Sequence, residues 1–382
     1  MKYYIIAGEA SGDLHGGNLL RALLERDPDA EVRFWGGDRM AEAAASAPKG
    51  KVVQVRHIRD LAFMGIVEVV SHLGSVLGNI GFCKKDILAF LPDTVVFIDY
   101  PGFNLRIAKF THAHGLRNVY YISPQIWAWK KRRIGPMRRD LDKLCYILPT
   151  EKDFYAANSF PQAVFVGHPL LDEVARYRSL SSEKGIDASV SHDNKPLIAL
   201  LPGSRRHELE RMLPTMMELA RLHGEYRFVV AGMSLIGEEF YRSYMPDSLS
   251  NVSIEFNNTY KLLSECRAAV VCSGTATLET ALFKVPQVVC YKSNPISYAI
   301  AKRLIGNRIQ FISLVNLIAR HKVVTELIQD EYNISRLDEE LVRIVIDGNV
   351  RETMMMEYSM IDGMLGGEGA SRRVAEIVCE CR

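Results

Sequence analysis

The sequence predicts an α/β protein of two Rossmann-like domains, each a parallel sheet covered by helices. Three observations carry this. Apolar β-branched and aromatic runs of strand length alternate with longer amphipathic stretches, the pattern of parallel sheets buried on both faces. Many of those runs end in Gly, Ser or Asp, where a βα turn has to form. The polar stretch Arg178 to Lys195, RSLSSEKGIDASVSHDNK, has no sustained apolar period and splits the alternation into two series.

Taken in order, the first series has candidate strands at Tyr3 to Gly8, Val32 to Gly37, Thr94 to Asp99, Asn118 to Ser123, Lys143 to Leu148 and Ala163 to Gly167. The second has Pro196 to Gly203, Tyr226 to Gly232, Val252 to Phe256, Ala268 to Gly274 and Pro286 to Lys292. Helical periodicity is clear at Leu14 to Glu25 and Leu209 to Arg221. A domain boundary falls near residues 168–195, and the final helix, Gly369 to Val378, is free to pack back on the first domain. Two such domains facing one another would turn the carboxyl-end loops of both sheets toward one cleft.

Composition sets limits. The 382 residues suit two domains of ordinary size, and 48% hydrophobic with 24% charged residues describes a globular chain with ample core. A formal net charge of +2 gives no global field for nucleic acid. Seven scattered cysteines fit reduced thiols better than a disulfide framework. MKYYIIAG reads as a first buried strand rather than a secretory leader, and no apolar run is long enough to span a bilayer.

Two strand-to-helix junctions stand out. LIALLPGSRRHELE, Leu197 to Glu210, carries Arg205 just after its loop. AAVVCSGTATLETALF, Ala268 to Phe283, puts Ser273, Gly274 and Thr275 at a helix start. Free N–H groups and the positive end of the helix dipole suit such starts to a phosphate, and two of them in one domain suit a pyrophosphate. Ordinary βα turns use the same residues. Glu279, within that helix, has the chemistry to accept from ribose hydroxyls, or else belongs to a solvated helix face.

Three further segments have candidate chemistry. Asp99 ends the strand TVVFID, where a carboxylate opens into the crevice of an α/β sheet as a general base, or else caps a turn. GEASGDLHGG, Gly8 to Gly17, is not GxGxxG; its glycines allow close backbone approach, and Ser11 or Asp13 is placed to cap a helix. SPQIWAWKKRRIGPMRRD, Ser123 to Asp140, joins two Trp to six basic residues, a lipid headgroup or phosphate surface or a solvated basic helix. The Asp140–Asp142 pair reads as surface charge, no histidine pair has metal-ligand spacing, and no Gly-x-Ser-x-Gly occurs.

Eight strings, in order, resemble the lipid-A-disaccharide synthases, bacterial glycosyltransferases of endotoxin assembly. They are AGEASGDLHGG (Ala7 to Gly17), MGIVEV (Met64 to Val69), FIDYPGFN (Phe97 to Asn104), YISPQIWAW (Tyr121 to Trp129), FVGHPLLD (Phe165 to Asp172), LLPGSR (Leu200 to Arg205), SGTATLE (Ser273 to Glu279) and the stretch through AKRLI and LVNLIA (Ala301 to Ala319).

The resemblance implies a GT-B fold: an acceptor domain over residues 1–170, a UDP-sugar domain over 171–365, and a terminal helix at about 366–382 packed on the first. It implies inverting transfer without metal or cofactor, from UDP-2,3-diacylglucosamine to 2,3-diacylglucosamine 1-phosphate. The product would be a β-1,6-linked disaccharide 1-phosphate. Asp99 becomes the base, and Arg205, Ser273, Gly274, Thr275, Glu279 and Asn316 the donor side. Ser11, Gly12, Met64 and Glu68 become acceptor or cleft residues. Tyr100 stands where the family commonly has Ala. Acylated substrates imply peripheral contact with the cytoplasmic face of the inner membrane, through Leu61 to Phe82 and the basic run. No feature of the sequence sets the oligomeric state.

Overall fold

The computed structural model describes residues 1–61, 73–126, 131–183, 195–246, 248–295, 298, 303 and 310–380. The chain forms two compact units, Met1–Asp172 with Leu365–Arg382, and Glu173–Met364.

Among the described residues the first unit has strands β1 (Lys2–Ala7), β2 (Glu31–Gly36), β3 (Val52–His57), β4 (Thr94–Ile98), β5 (Arg117–Tyr121), β6 (Lys143–Tyr146) and β7 (Ala163–Phe165). They form one parallel sheet in the order β3-β2-β1-β4-β5-β6-β7. The middle strands β4 and β5 are buried at every residue, because helices cover both faces. Tyr4, Trp35, Phe97, Phe103 and Tyr120 fill the core on one side of the sheet. Direction of winding reverses between β1 and β4, which pair with Ala7 opposite Ile98. The loops after these strands therefore leave on opposite sides and open a crevice at their carboxyl ends.

The second unit repeats this plan. Strands β8 (Leu197–Leu201), β9 (Arg227–Gly232), β10 (Val252–Phe256), β11 (Ala268–Cys272), β12 (Gln287–Tyr291) and β13 (Thr325–Ile328) form a parallel sheet in the order β10-β9-β8-β11-β12-β13. Its reversal lies between β8 and β11, paired with Leu201 opposite Val271. Pro202–Arg205 and Ser273–Thr275 leave from that point.

The final helix, Ala370–Cys379, belongs to the first unit. Asp172 receives the N–H groups of Gly369 and Ser371 at 2.6 and 3.0 Å, and Arg117 donates to the carbonyls of Ile377 and Val378 at 2.6 and 2.9 Å. Both helix ends are thus satisfied by buried or half-buried side chains.

Two expectations are corrected here. Asp140 is not surface charge: it is buried and pairs with Arg139, while Asp142 accepts the backbone N–H of Asn118 at 2.7 Å. Neither Ser11 nor Asp13 caps the first helix, Ala10–Arg26, whose N-cap residue is Glu9. Asp13 is buried and instead takes the N–H groups of Gly37, Arg39 and Met40 at 2.6, 3.0 and 3.1 Å, capping the helix Asp38–Ala44. The dipole of that second helix stabilises the buried carboxylate.

Candidate active site

In the first unit the crevice is lined by the residues that follow β1 and β4. Asp99 and Tyr100 both adopt left-handed backbone, with φ of 45° and 49°. Two successive non-glycine residues in this region are strained, and such strain persists only where the surroundings over-determine it. Here they do. The Asp99 N–H donates to the Tyr121 carbonyl at 3.0 Å. The Asp99 carbonyl accepts from Tyr120 Oη at 2.5 Å and from Asn104 Nδ2 at 2.7 Å. Asn104 is fully buried, and its Nδ2 also lies 3.3 Å from the Ile98 carbonyl and 3.4 Å from that of Ile6.

This clamp leaves the Asp99 carboxyl half-buried at the crevice. Burial pushes its pKa up to about 6, and the negative charge of Glu9 adds to the shift. A carboxylate with that pKa is still ionised at neutral pH and is a stronger base than a free aspartate. Glu9 reaches it because β1 and β4 are neighbours. The GEASGD string contains Glu9, but nothing in its spacing marks it as a partner of Asp99. Asn104, inside FIDYPGFN, is likewise unmarked by its spacing; a lone Asn in an apolar helix face is the available signal.

Tyr100 turns its ring onto Gly8 and stacks on Phe103 with centroids 5.7 Å apart. Ser11 is exposed in the first turn of its helix, and Gly12 is buried between Ala7 and Ile98. The glycines of Gly8 to Gly17 also serve packing, for a Cβ on Gly16 or Gly17 would strike Met40 or the Arg39 backbone. Met64 and Glu68 lie outside the described residues.

In the second unit Arg205 is exposed and is the N-cap residue of the helix Arg206–Leu222. Glu208 folds back over this start. Its Oε2 accepts the N–H groups of Ser204 and Arg205 at 3.0 and 3.1 Å. One arm of a capping box therefore occupies part of the predicted phosphate cradle. The exposed Arg205 guanidinium lies 3.9 Å from Glu208 Oε1.

The other helix start is more open. Gly274 is the N-cap of Thr275–Leu282, both Gly274 and Thr275 are exposed, and a Cβ on Gly274 would meet nothing within 4 Å. Ser273 is tied down, its Oγ donating to the Ile312 carbonyl at 3.0 Å. Glu279 is not on a solvated face. It is half-buried, accepts from Tyr260 Oη at 2.9 Å, and is pushed above the usual carboxylate range by burial.

Asn316 is fully buried and its amide is completely used. Nδ2 donates to the Val324 carbonyl and Glu326 Oε1 at 3.0 and 2.9 Å, and Oδ1 accepts from the N–H groups of Val323 and Val324 at 2.8 and 3.0 Å. An amide offers two donors and two acceptor sites, so no valence is left for a ligand. Glu326 also takes the N–H groups of Ile312 and Ser313, both at 2.9 Å. This network fixes the segment Ile312–Asn316, whose Ile312 carbonyl takes the Ser273 hydroxyl.

Among the described residues, no three His, Cys, Asp or Glu side chains converge as a metal site requires.

Comparison with known proteins bears on the whole chain. Residues 3–374 match the family described as lipid-A-disaccharide synthetase. The lipid-A-disaccharide synthase of Trichlorobacter lovleyi is 35% identical over 381 residues, 98% of this chain and 96% of its own. That of Syntrophus aciditrophicus is 36% identical over 97% of this chain and 95% of its own. Among solved structures, a UDP-GlcNAc 2-epimerase from Neisseria meningitidis matches with a TM-score of 0.66 at 12% identity, covering 99% of both chains. A calicheamicin glycosyltransferase matches with a TM-score of 0.60 at 14% identity, covering 98% of this chain and 97% of its own. At such identities the structural likeness speaks to fold alone, the GT-B plan of two parallel-sheet domains. The sequence matches go further: this chain belongs to the lipid-A-disaccharide synthase family, glycosyltransferases of lipid A biosynthesis.

Proposed function

We propose that the chain transfers a 2,3-diacylglucosaminyl group from its UDP derivative to the 6-hydroxyl of 2,3-diacylglucosamine 1-phosphate. Asp99 takes the hydroxyl proton as that oxygen forms its bond to the anomeric carbon. The bond from this carbon to the UDP oxygen breaks on the opposite face, giving inversion and a β-1,6 linkage. The transition state resembles an oxocarbenium ion, as in glycoside hydrolysis. Negative charge grows on the leaving diphosphate. Arg205 and the N–H groups opening the helix Thr275–Leu282 stabilise it, while Glu279 accepts from the ribose.

The observation that carries this reading is the placement of Asp99. It stands at the reversal of the first sheet in a clamped, strained backbone, with its pKa raised to about 6 by burial and Glu9. The acyl chains require a lipid-facing surface, so the enzyme works at the cytoplasmic face of the inner membrane as a peripheral protein. Among the described residues, no helix is long and apolar enough to cross a membrane.

The test mixes purified protein with both acylated substrates and follows products by mass spectrometry. Disaccharide 1-phosphate and UDP in equal amounts are expected. UDP released without disaccharide, or a rearranged UDP-sugar, would overturn the reading.

A further inference from the structure

We propose that Tyr260 is a positioning residue for donor recognition, holding Glu279 in one orientation for the ribose diol. The inference rests on the reading of Glu279 as the ribose acceptor, and adds a residue outside every matching string.

The geometry begins with two short helices. Tyr260 opens Thr259–Glu265, which follows β10, and Glu279 lies on Thr275–Leu282, which follows β11. The Tyr260 phenol donates to Glu279 Oε1 at 2.9 Å. The Tyr260 ring cannot swing away freely. It meets Tyr177 edge-on at 5.6 Å and Phe283 at 5.2 Å, and these two meet each other at 5.8 Å. Three mutually packed rings fix the phenol, and the phenol fixes one carboxylate oxygen. The second oxygen is then the acceptor available to a vicinal diol.

The charges around Glu279 explain why such a donor is needed. Glu173, on the helix Leu170–Glu183, is a like charge that pushes Glu279 toward its neutral form, as burial does. Arg176 is engaged with Glu173 itself at 3.0 Å. Arg178 is directed to the Leu282 carbonyl at 3.0 Å, at the far end of the helix. Tyr260 is the group that favours the charged form of Glu279. A protonated carboxyl would lose acceptor strength toward ribose hydroxyls.

Tyr260→Phe keeps the ring cage and deletes only the hydroxyl. Calorimetry with UDP should show affinity about tenfold weaker at pH 7, as expected for a lost hydrogen bond to a charged group. The deficit should shrink as pH rises, since a higher pH favours the carboxylate without help from the phenol. Binding of 2′,3′-dideoxy-UDP, which lacks the diol, should be the same in parent and variant. Melting curves of Tyr260→Phe and Glu279→Gln establish that both are folded. If Glu279→Gln weakens UDP while Tyr260→Phe matches the parent at every pH, the positioning role is overturned and the ribose reading stands. If Glu279→Gln binds UDP like the parent, the ribose reading fails and the role of Tyr260 falls with it.

Discussion

The ring of Tyr100 lies on the bare Cα of Gly8: a Cβ built on Gly8 would stand 2.3 Å from Tyr100 Cδ1 and 2.4 Å from its Cγ. These are atoms at the root of a rigid ring, so a methyl group cannot be accommodated by rotating a side-chain tip. Tyr100 follows Asp99 directly, and the two share a left-handed turn. Gly8 therefore sets the room available to the turn that carries Asp99. Gly8→Ala should destabilise the fold by roughly 1–3 kcal/mol, as overpacking does, and lower turnover at least tenfold. Adding Tyr100→Ala should restore much of both. Thermal melts and UDP-release rates of the two single variants and the double variant check this; turnover in Gly8→Ala equal to the parent would mean that the turn yields without moving Asp99.

Asp99 predicts a pH profile. Its pKa of about 6 places the acid limb of kcat/KM near pH 6, activity falling as the carboxylate takes up its proton. Glu9→Gln removes a like charge, so the limb should move to lower pH. Asp99→Asn should lower turnover by about 100-fold or more, with UDP affinity kept. Asn tolerates the left-handed turn, which makes it the shape-preserving choice. Stability follows with a worked sign. Folded Asp99 holds its proton more tightly than an unfolded carboxyl, which titrates at about 3.9. The folded state then binds more protons between about pH 4 and 6, and stability contributed by this group is lost as pH rises through that window. Asp99→Asn escapes the loss, so at pH 7.5 it should melt no lower than the parent. A lower melting temperature there would contradict the desolvated environment assigned to Asp99.

What the sequence made legible follows from burial. β1, β4, β8 and β11 read as strands because nearly every residue is apolar and covered. β3 was missed: VVQVRH sits at a sheet edge, with Val53 and Gln54 exposed, and carries no continuous apolar run. β13, TELI, is too short to stand out. The position of Asp99 is legible because a carboxylate ending a buried strand has one exit, the crevice. Glu9 and Tyr260 are not, since each meets a residue brought close only by sheet order or helix packing; Asn104 lies five residues from Asp99, but its inward turn is a property of burial. The resemblance puts Asn316 on the donor side, yet the direction of its amide, inward, is a property of the Ser313–Glu326 network and leaves no trace in local spacing.

Exposed Arg205 and buried Asn316 should behave as ligand contact and as scaffold respectively. Arg205 is exposed, so Arg205→Ala should leave the melting temperature unchanged. It should weaken UDP binding and lower turnover by up to about 100-fold, the effect of losing roughly 3 kcal/mol of transition-state charge stabilisation. Asn316→Ala strands the Val324 carbonyl, the N–H groups of Val323 and Val324, and one bond to Glu326. Each buried group left unpaired costs about 1–3 kcal/mol, so this variant should melt well below the parent. Calorimetry and thermal melts on both variants check the assignment. A stable Asn316→Ala that fails to bind UDP would return Asn316 to direct contact.

The membrane prediction can now be attached to described residues. Phe63, Met64, Ile66 and Val69 lie outside them, but the helix that follows, Leu73–Phe90, is informative. Leu77 and Phe82 are 63% and 40% exposed, and Gly78 and Gly81 have open space above their Cα atoms. These four positions, with exposed Lys85, fall on one broad side of the helix, an arc of about 140° at 3.6 residues per turn. Arg56 lies 4.7 Å over the Phe82 ring, holding a cation beside that face, and Lys131 and Arg132 are exposed in the basic run. Apolar side chains entering lipid gain about 25 cal/mol per Å², and each basic residue near an anionic surface adds roughly 1 kcal/mol. Flotation with phosphatidylglycerol vesicles should therefore show binding that weakens as salt rises, because surface charges are screened within about 8 Å at physiological ionic strength. Leu77→Ser and Phe82→Ser should reduce binding up to about tenfold, and Lys131→Gln with Arg132→Gln by a similar factor in low salt. Exposure makes these substitutions gentle on the fold, so melting temperatures should hold. Variants that float as well as the parent at every salt concentration would remove both segments from the membrane contact, and binding lost together with melting temperature would show that Leu77 and Phe82 act in folding instead.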